Sequence, residues 1–131
     1  MLSYMYNKNI GKSLNKAKGD AGEKIAAEFL EKIGYKIIKT NFRSGHKEID
    51  IIAESENGVL NFIEVKSRFE NKFGKPVEAF DNNKKNKIIE ISLFFMNKFN
   101  IGKKPVNYGL ISIEFIERGS VKLIYFENAC D

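Results

Sequence analysis

The chain is poor in the residues that carry most covalent and soft-metal chemistry. Its 131 residues include one cysteine, one histidine, two prolines and no tryptophan. A single Cys, Cys130, excludes an internal disulfide framework and a Cys-based zinc site. With His46 as the sole histidine, His-rich metal centres and Ser/His or Cys/His nucleophilic pairs are poor fits. Apolar runs are short. Residues 91–96, with Ser92 inside, fall far short of the ~20 residues a membrane span needs. The opening residues lack the apolar stretch of a secretory signal. The expectation is a soluble cytoplasmic protein with no membrane partner. If it is an enzyme, carboxylates and lysines do the work.

What is present is charge, unevenly placed. Lys and Arg number 22 against 17 Asp and Glu, a formal net charge of +5, while 43% of residues are hydrophobic. That apolar content excludes a disordered chain, and the length fits one domain. Residues 1–47 hold ten basic and four acidic groups, residues 48–82 four and eight, and residues 83–131 eight and five. Basic flanks around an acidic centre suit a polyanion held at the flanks and a cation held in the middle. The plainer reading is a basic surface that keeps the chain soluble.

The hydrophobic pattern predicts two helices and five strands. Residues 1–12 read as a flexible basic N-terminal arm, followed by a single domain over 13–131. Ala21, Ile25, Phe29 and Ile33 recur at helical spacing within a helix over 17–33, and Gly34 is its natural stop. Strands are expected over 35–41, 48–54 and 59–67, then a loop over 68–76. A second helix runs from about Asp81 to Lys98, with Ile88, Ile91, Phe95 and Phe99 facing the core and Phe94 also read as core. A final hairpin spans 106–115 and 121–126. The order α-β-β-β-α-β-β predicts an α/β fold, a mixed β-sheet flanked by helices.

The chemistry concentrates in two strands that are apolar enough to be central yet carry charge. Burying a charge is costly unless it is paired or metal-bound. A two-residue Asn57-Gly58 turn pairs positions summing to ~115 and splits the acids between faces. A three-residue loop, with Gly58 as the left-handed residue of a bulge, gives a sum of ~114. That register sets Asp50 opposite Glu64 and Glu48 opposite Lys66, and leaves Ile49, Ile51, Ala53, Ile63 and Val65 on one apolar face. It is preferred for that reason. Facing carboxylates repel unless one is protonated or a cation lies between them. All-oxygen ligation suits Mg²⁺ or Mn²⁺. With Lys66 on the same face, the set fits metal-assisted phosphodiester hydrolysis. The plainer alternative is a Glu48–Lys66 ion pair with Asp50 and Glu64 in solvent. Glu23 sits at the edge of the first helix's apolar stripe among Gly19, Gly22, Ala26 and Ala27. It can point over the sheet or be an ordinary surface glutamate.

Gly22-Glu23, Gly34-Tyr35, Asn41-Phe42-Arg43, Glu48-Ile49-Asp50-Ile51-Ile52, Phe62-Ile63-Glu64-Val65-Lys66-Ser67-Arg68 and Phe73-Gly74 together resemble the YraN-like family of predicted endonucleases. That family is placed in the PD-(D/E)XK nuclease superfamily and is distantly similar to archaeal Holliday-junction resolvases. The resemblance covers about residues 16–115. It implies a restriction-endonuclease-like core with Asp50, Glu64 and Lys66 at the catalytic positions and Glu23 as an accessory acid. Asp50, Glu64 and the Val65 backbone carbonyl are the implied metal ligands, and Glu48 is accessory. Lys84 matches a basic position at the start of the second helix. With Lys85, Lys87, Arg68 and Lys47 it forms the expected nucleic-acid-binding set. Two departures stand out: Lys47 where relatives often carry Gly, and Asn107-Tyr108-Gly109 where many carry Arg-Phe-Asp. The expected activity is Mg²⁺- or Mn²⁺-dependent hydrolysis of double-stranded or branched DNA, with a homodimer as one way to serve two strands. The alternative is a nucleic-acid-binding module that keeps the fold without turnover.

Overall fold

The computed structural model describes residues 3–9, 18–69, 82–116 and 120–129, and the side chains of 21–68, 82–116 and 120–129. Of the expected loop over 68–76, the first two residues belong to β4; residues 70–76, with Asp81, Cys130 and residues 117–119 of the last turn, lie outside the described residues. Strand β1 is Ser3–Asn9, helix α1 Lys18–Lys32, β2 Lys36–Ser44, β3 Lys47–Glu54, β4 Leu60–Phe69, α2 Asn82–Lys98, β5 Val106–Ile116 and β6 Ser120–Phe126. From α1 onward the expected order stands. One mixed six-stranded sheet runs β1-β6-β5-β4-β3-β2. All neighbours are antiparallel except β4 and β5, which are parallel and joined through α2, as a parallel pair requires.

The start of the chain departs from the expected arm. Ser3–Asn9 pairs antiparallel with β6, from Ser3 opposite Phe126 to Asn9 opposite Ser120. Its alternating Tyr4, Tyr6 and Lys8 match period two, but the lysine and asparagines hid the pattern behind a basic, polar composition.

Local chemistry explains the ends of the elements. Both helices close with the same pair of bonds. Tyr35 N–H donates to Leu30 O (2.9 Å) and Gly34 N–H to Glu31 O (3.1 Å), while Ile101 N–H donates to Met96 O (2.8 Å) and Asn100 N–H to Asn97 O (3.2 Å). These are Schellman caps, with Gly34 at φ 96° and Asn100 at φ 53° in the left-handed position. Between β3 and β4, Ser55 N–H donates to Val59 O and Gly58 adopts φ 82°. An L side chain resists that conformation, so Gly58 sets the loop length. Glu54 then pairs with Leu60, Ile52 with Phe62 and Ile51 with Ile63, which is the preferred register.

Two cores sandwich the sheet. On the α1 side Ile25, Phe29 and Leu30 pack on Ile51, Ala53, Ile63, Ile111, Ile113, Leu123 and Tyr125. On the α2 side Ile88, Ile91 and Phe95 pack on Phe42, Ile49, Ile52, Leu60, Phe62 and Leu110. Ile49 therefore sits with Ile52 and not, as strict alternation demands, with Ile51 and Ala53. The alternation breaks at Asp50, just beyond the last Cα pair of the β3–β4 ladder, Ile51 with Ile63. The outer side of α2 is also not core: Leu93, Phe94 and Phe99 are 61%, 42% and 44% exposed. Among the described residues, no helix is long and apolar enough to cross a membrane.

Helix α1 lies close on β4. A Cβ at Gly22 would stand 1.9 Å from Ser67 Oγ and 3.2 Å from Ser67 Cβ. Gly22→Ala is expected to destabilise the fold by about 1–3 kcal/mol through overpacking. The loss should shrink in a Ser67→Ala background, a coupling that denaturant titration of the double-mutant cycle measures.

Candidate active site

Three carboxylates from two elements converge at the end of the sheet. Glu23 of α1, Glu48 and Asp50 of β3 each offer an oxygen within 4.8 Å of the others. Gly22 makes this possible, because the close approach of α1 to β4 carries Glu23 over the strand ends. Asp50 is 8% exposed, and the main-chain N–H of Val65 donates to its Oδ2 at 2.7 Å. Glu64 of β4 lines the same cleft of about 360 Å³, together with His46, Lys47, Glu48, Asp50, Lys84 and Lys87.

The outer acids each meet a donor from a different element. With its amide nitrogen turned toward Glu23, Asn41 donates to both carboxylate oxygens at 3.1 and 3.2 Å. Asn41 holds φ 51°, a left-handed conformation that Asn tolerates better than most residues. Arg43 Nε pairs with Glu48. Lys84 Nζ lies 2.9 Å from Glu64 Oε1. Asp50 is different. Its carboxyl is raised from 3.8 to about 7, chiefly by burial; the charge of Glu64 adds to the rise, the Val65 N–H opposes it, and Glu23 and Glu48 add smaller increments.

The expected site residues separate into those the fold gathers and those it does not. Glu48, Asp50, Glu64, Lys84, Lys87 and Lys47 line the cleft, Glu23 joins the cluster through Glu48 and Asp50 without lining it, and Lys47 is also ion-paired to Glu90 of α2. Lys85 is half-buried but is not among the residues that line it. Lys66 is exposed and does not line the cleft either. The expected juxtaposition of Glu48 and Lys66, and with it the plainer ion-pair alternative, gives way to Glu48–Arg43, because the break at Asp50 changes the face of the residues before it. Arg68, expected to face nucleic acid, is mostly buried beside Glu114, 3.8 Å away, because the parallel β4–β5 register places the two opposite each other. Asn41 and Arg43 had no assigned role in the sequence reading. The signal for Asn41 was a polar residue inside a β-rich run, which reads equally as a turn.

The sequence comparisons place the chain in a family. Residues 22–116 match the model of the uncharacterised protein family UPF0102. The chain belongs to this family. It is the YraN family, a group of predicted PD-(D/E)XK-like nucleases. A UPF0102 protein of Clostridioides difficile is 40% identical over 104 residues, covering 79% of this chain and 90% of its own. One from Persephonella marina is 44% identical over 96 residues, covering 73% and 82%. One from Clostridium perfringens is 37% identical over 119 residues, covering 90% and 97%. A solved structure of Pyrococcus furiosus SfsA in complex with Ca²⁺ aligns with 86% of this chain and 63% of its own, at 16% identity and a TM-score of 0.30, too remote to carry an argument. UPF0102 membership and the acidic cluster together support a nuclease-like fold able to take a divalent cation.

The raised Asp50 carboxyl has a stability consequence. Its folded value lies above the unfolded one, so its contribution is greatest below about pH 4 and is lost as pH rises toward 7. In chelator, the protein should lose on the order of 4 kcal/mol through this group between those limits. Asp50→Asn should flatten that pH dependence, and denaturant unfolding at pH 5 and pH 8 measures both slopes.

Proposed function

We propose that the protein is a Mg²⁺- or Mn²⁺-dependent deoxyribonuclease. The observation that carries this reading is the meeting of Glu23, Glu48 and Asp50, each with an oxygen within 4.8 Å of the others, around a buried Asp50 whose charge is penalised there. The donor set fits the ion. It is all oxygen, it repels itself when ionised, and a hard divalent cation relieves that repulsion. Asp50 and Glu64 would hold the metal with the Val65 carbonyl, and Glu23 and Glu48 would complete the acidic shell. An extended residue's N–H and C=O leave the same edge of a strand, so the Val65 carbonyl faces the β3 side where its N–H meets Asp50. When bound, the metal supplies Lewis-acid polarisation of a phosphate and a bound water of lowered pKa.

The chain's own groups then have distinct work. The Val65 N–H fixes which Asp50 oxygen faces β4, leaving the other for the cleft. Asn41 orients Glu23. Lys84 and Lys87 stand at the first turns of α2, whose N-terminal end favours an anion, so a scissile phosphate can rest between them and the acids. Lys84, held against Glu64, can offset charge on the phosphate oxygens. Lys66, the catalytic lysine of the family pattern, reaches the phosphate from the exposed rim. Lys85 and Lys47 extend the basic surface around the cleft. The exposure of Lys66 favours a second reading, a module that binds nucleic acid through the same cleft without turnover.

Purified protein incubated with Mn²⁺ and labelled linear, nicked and four-way-junction DNA should cleave at least one substrate. Asp50→Asn and Glu64→Gln should each lower the rate at least ~100-fold, while Lys66→Ala and Lys84→Ala rank the two lysines. If the wild type cuts none of the three, or Asp50→Asn cuts as well as wild type, the enzyme reading fails. Calorimetric titration with Mn²⁺ separates the alternatives: DNA binding without metal binding identifies the non-catalytic module.

A further inference from the structure

The outward side of the far half of α2, with the residue that follows it, presents aromatic rings where a surface helix ordinarily presents polar groups. Phe94 and Phe99 are each more than two-fifths exposed. Beneath them Phe42 of β2 is buried, with ring centroids 6.0 Å from Phe94, 5.1 Å from Phe95 and 6.3 Å from Phe99. The rim of this patch is cationic. Lys98 Nζ lies 6.0, 6.0 and 5.8 Å from the centroids of Phe42, Phe94 and Phe99, and Lys39 Nζ lies 5.4 Å from that of Phe99.

The combination discriminates between occupants. A second copy docking symmetrically through the rings would bring together two rims that both carry Lys39 and Lys98, like charges that disfavour the contact. A duplex would meet the lysines but keeps its base faces inside the stack. A single strand satisfies both parts, since unpaired bases stack on phenyl rings while phosphates meet the ammonium groups. The floor of the patch is tied to the acidic strand by register. In the β2–β3 register Phe42 lies opposite Ile49 and Arg43 opposite Glu48, the two residues immediately before Asp50.

The geometry points to a stacking surface for the unpaired bases of a DNA strand, formed by Phe94 and Phe99 over Phe42 and rimmed by Lys39 and Lys98. The choice of DNA rests on the nuclease reading, and the surface narrows that reading to substrates with a single-stranded stretch beside the cleavage point.

The test is fluorescence anisotropy in chelator at low salt, with an end-labelled oligothymidine and a hairpin duplex as probes. Phe94→Ala and Phe99→Ala should each weaken single-strand binding about tenfold and duplex binding less than about twofold. Phe94→Leu keeps apolar volume and removes the flat ring. It should weaken the single strand likewise while melting with the wild type, which separates stacking from misfolding. Lys98→Gln should lower the salt dependence for both probes. The proposal is overturned if the wild type does not bind the oligothymidine, if ring removal leaves that binding unchanged, or if both probes lose equally. It is also overturned if sedimentation shows a wild-type dimer that Phe94→Ala dissociates. Binding is read without metal, so failure of cleavage leaves this result standing. Duplex cleavage without single-strand binding removes the stacking surface and leaves the nuclease reading intact.

Discussion

The organisation of this protein turns on one buried carboxylate. Asp50 sits midway along β3, just past the last Cα pair of the β3–β4 ladder, shielded from water and near three other acids. Each outer acid has a side-chain donor of its own: Asn41 for Glu23, Arg43 for Glu48, Lys84 for Glu64. The described partner of Asp50 is a main-chain N–H, which orients it without neutralising it. The unfavourable charge is thereby concentrated at a single atom group in the cleft, where a cation brings the largest relief. Sites that pull titratable groups this far from their ordinary range are frequent where chemistry is done.

The packing serves that arrangement. Gly22 gives up a side chain so that α1 can settle against Ser67, and the next residue, Glu23, arrives at the acids as a result. On the other face, α2 begins at the cleft and runs away from it, so its first turns supply lysines and its far half supplies the apolar wall. The same helix thus joins the acidic site, one core and the aromatic patch. A change in its tilt would reach all three.

Much of this was legible in the residues. Gly58 fixed the loop length, hence the register, hence which positions face each other, and the structure keeps that register from Glu54 to Ile51. The first helix was readable because its apolar spacing and its stop at Gly34 agree; the second was readable from spacing alone, and its left-handed stop at Asn100 emerged only in the structure. Three things were not. The edge strand β1 looked like a basic arm, because an edge strand needs little hydrophobicity and tolerates lysine. The break at Asp50 is a backbone irregularity that period-two counting does not register, and it redirects Glu48 from Lys66 to Arg43. Arg68 and Phe94 were misjudged for opposite reasons. A long-range parallel register buries the arginine, whereas a helix broader than its contact with the sheet exposes the phenylalanine.

The pairing of the first strand with the last also orders events in time. Ser3 must meet Phe126, so on the ribosome β1 has no partner in the sheet until β6 has been made. The edge of β6 and the waiting segment stay open until they find each other, and the sheet is closed by its most distant contact. Completion of this sheet is therefore a late event, however early the hairpin that carries the acids takes shape.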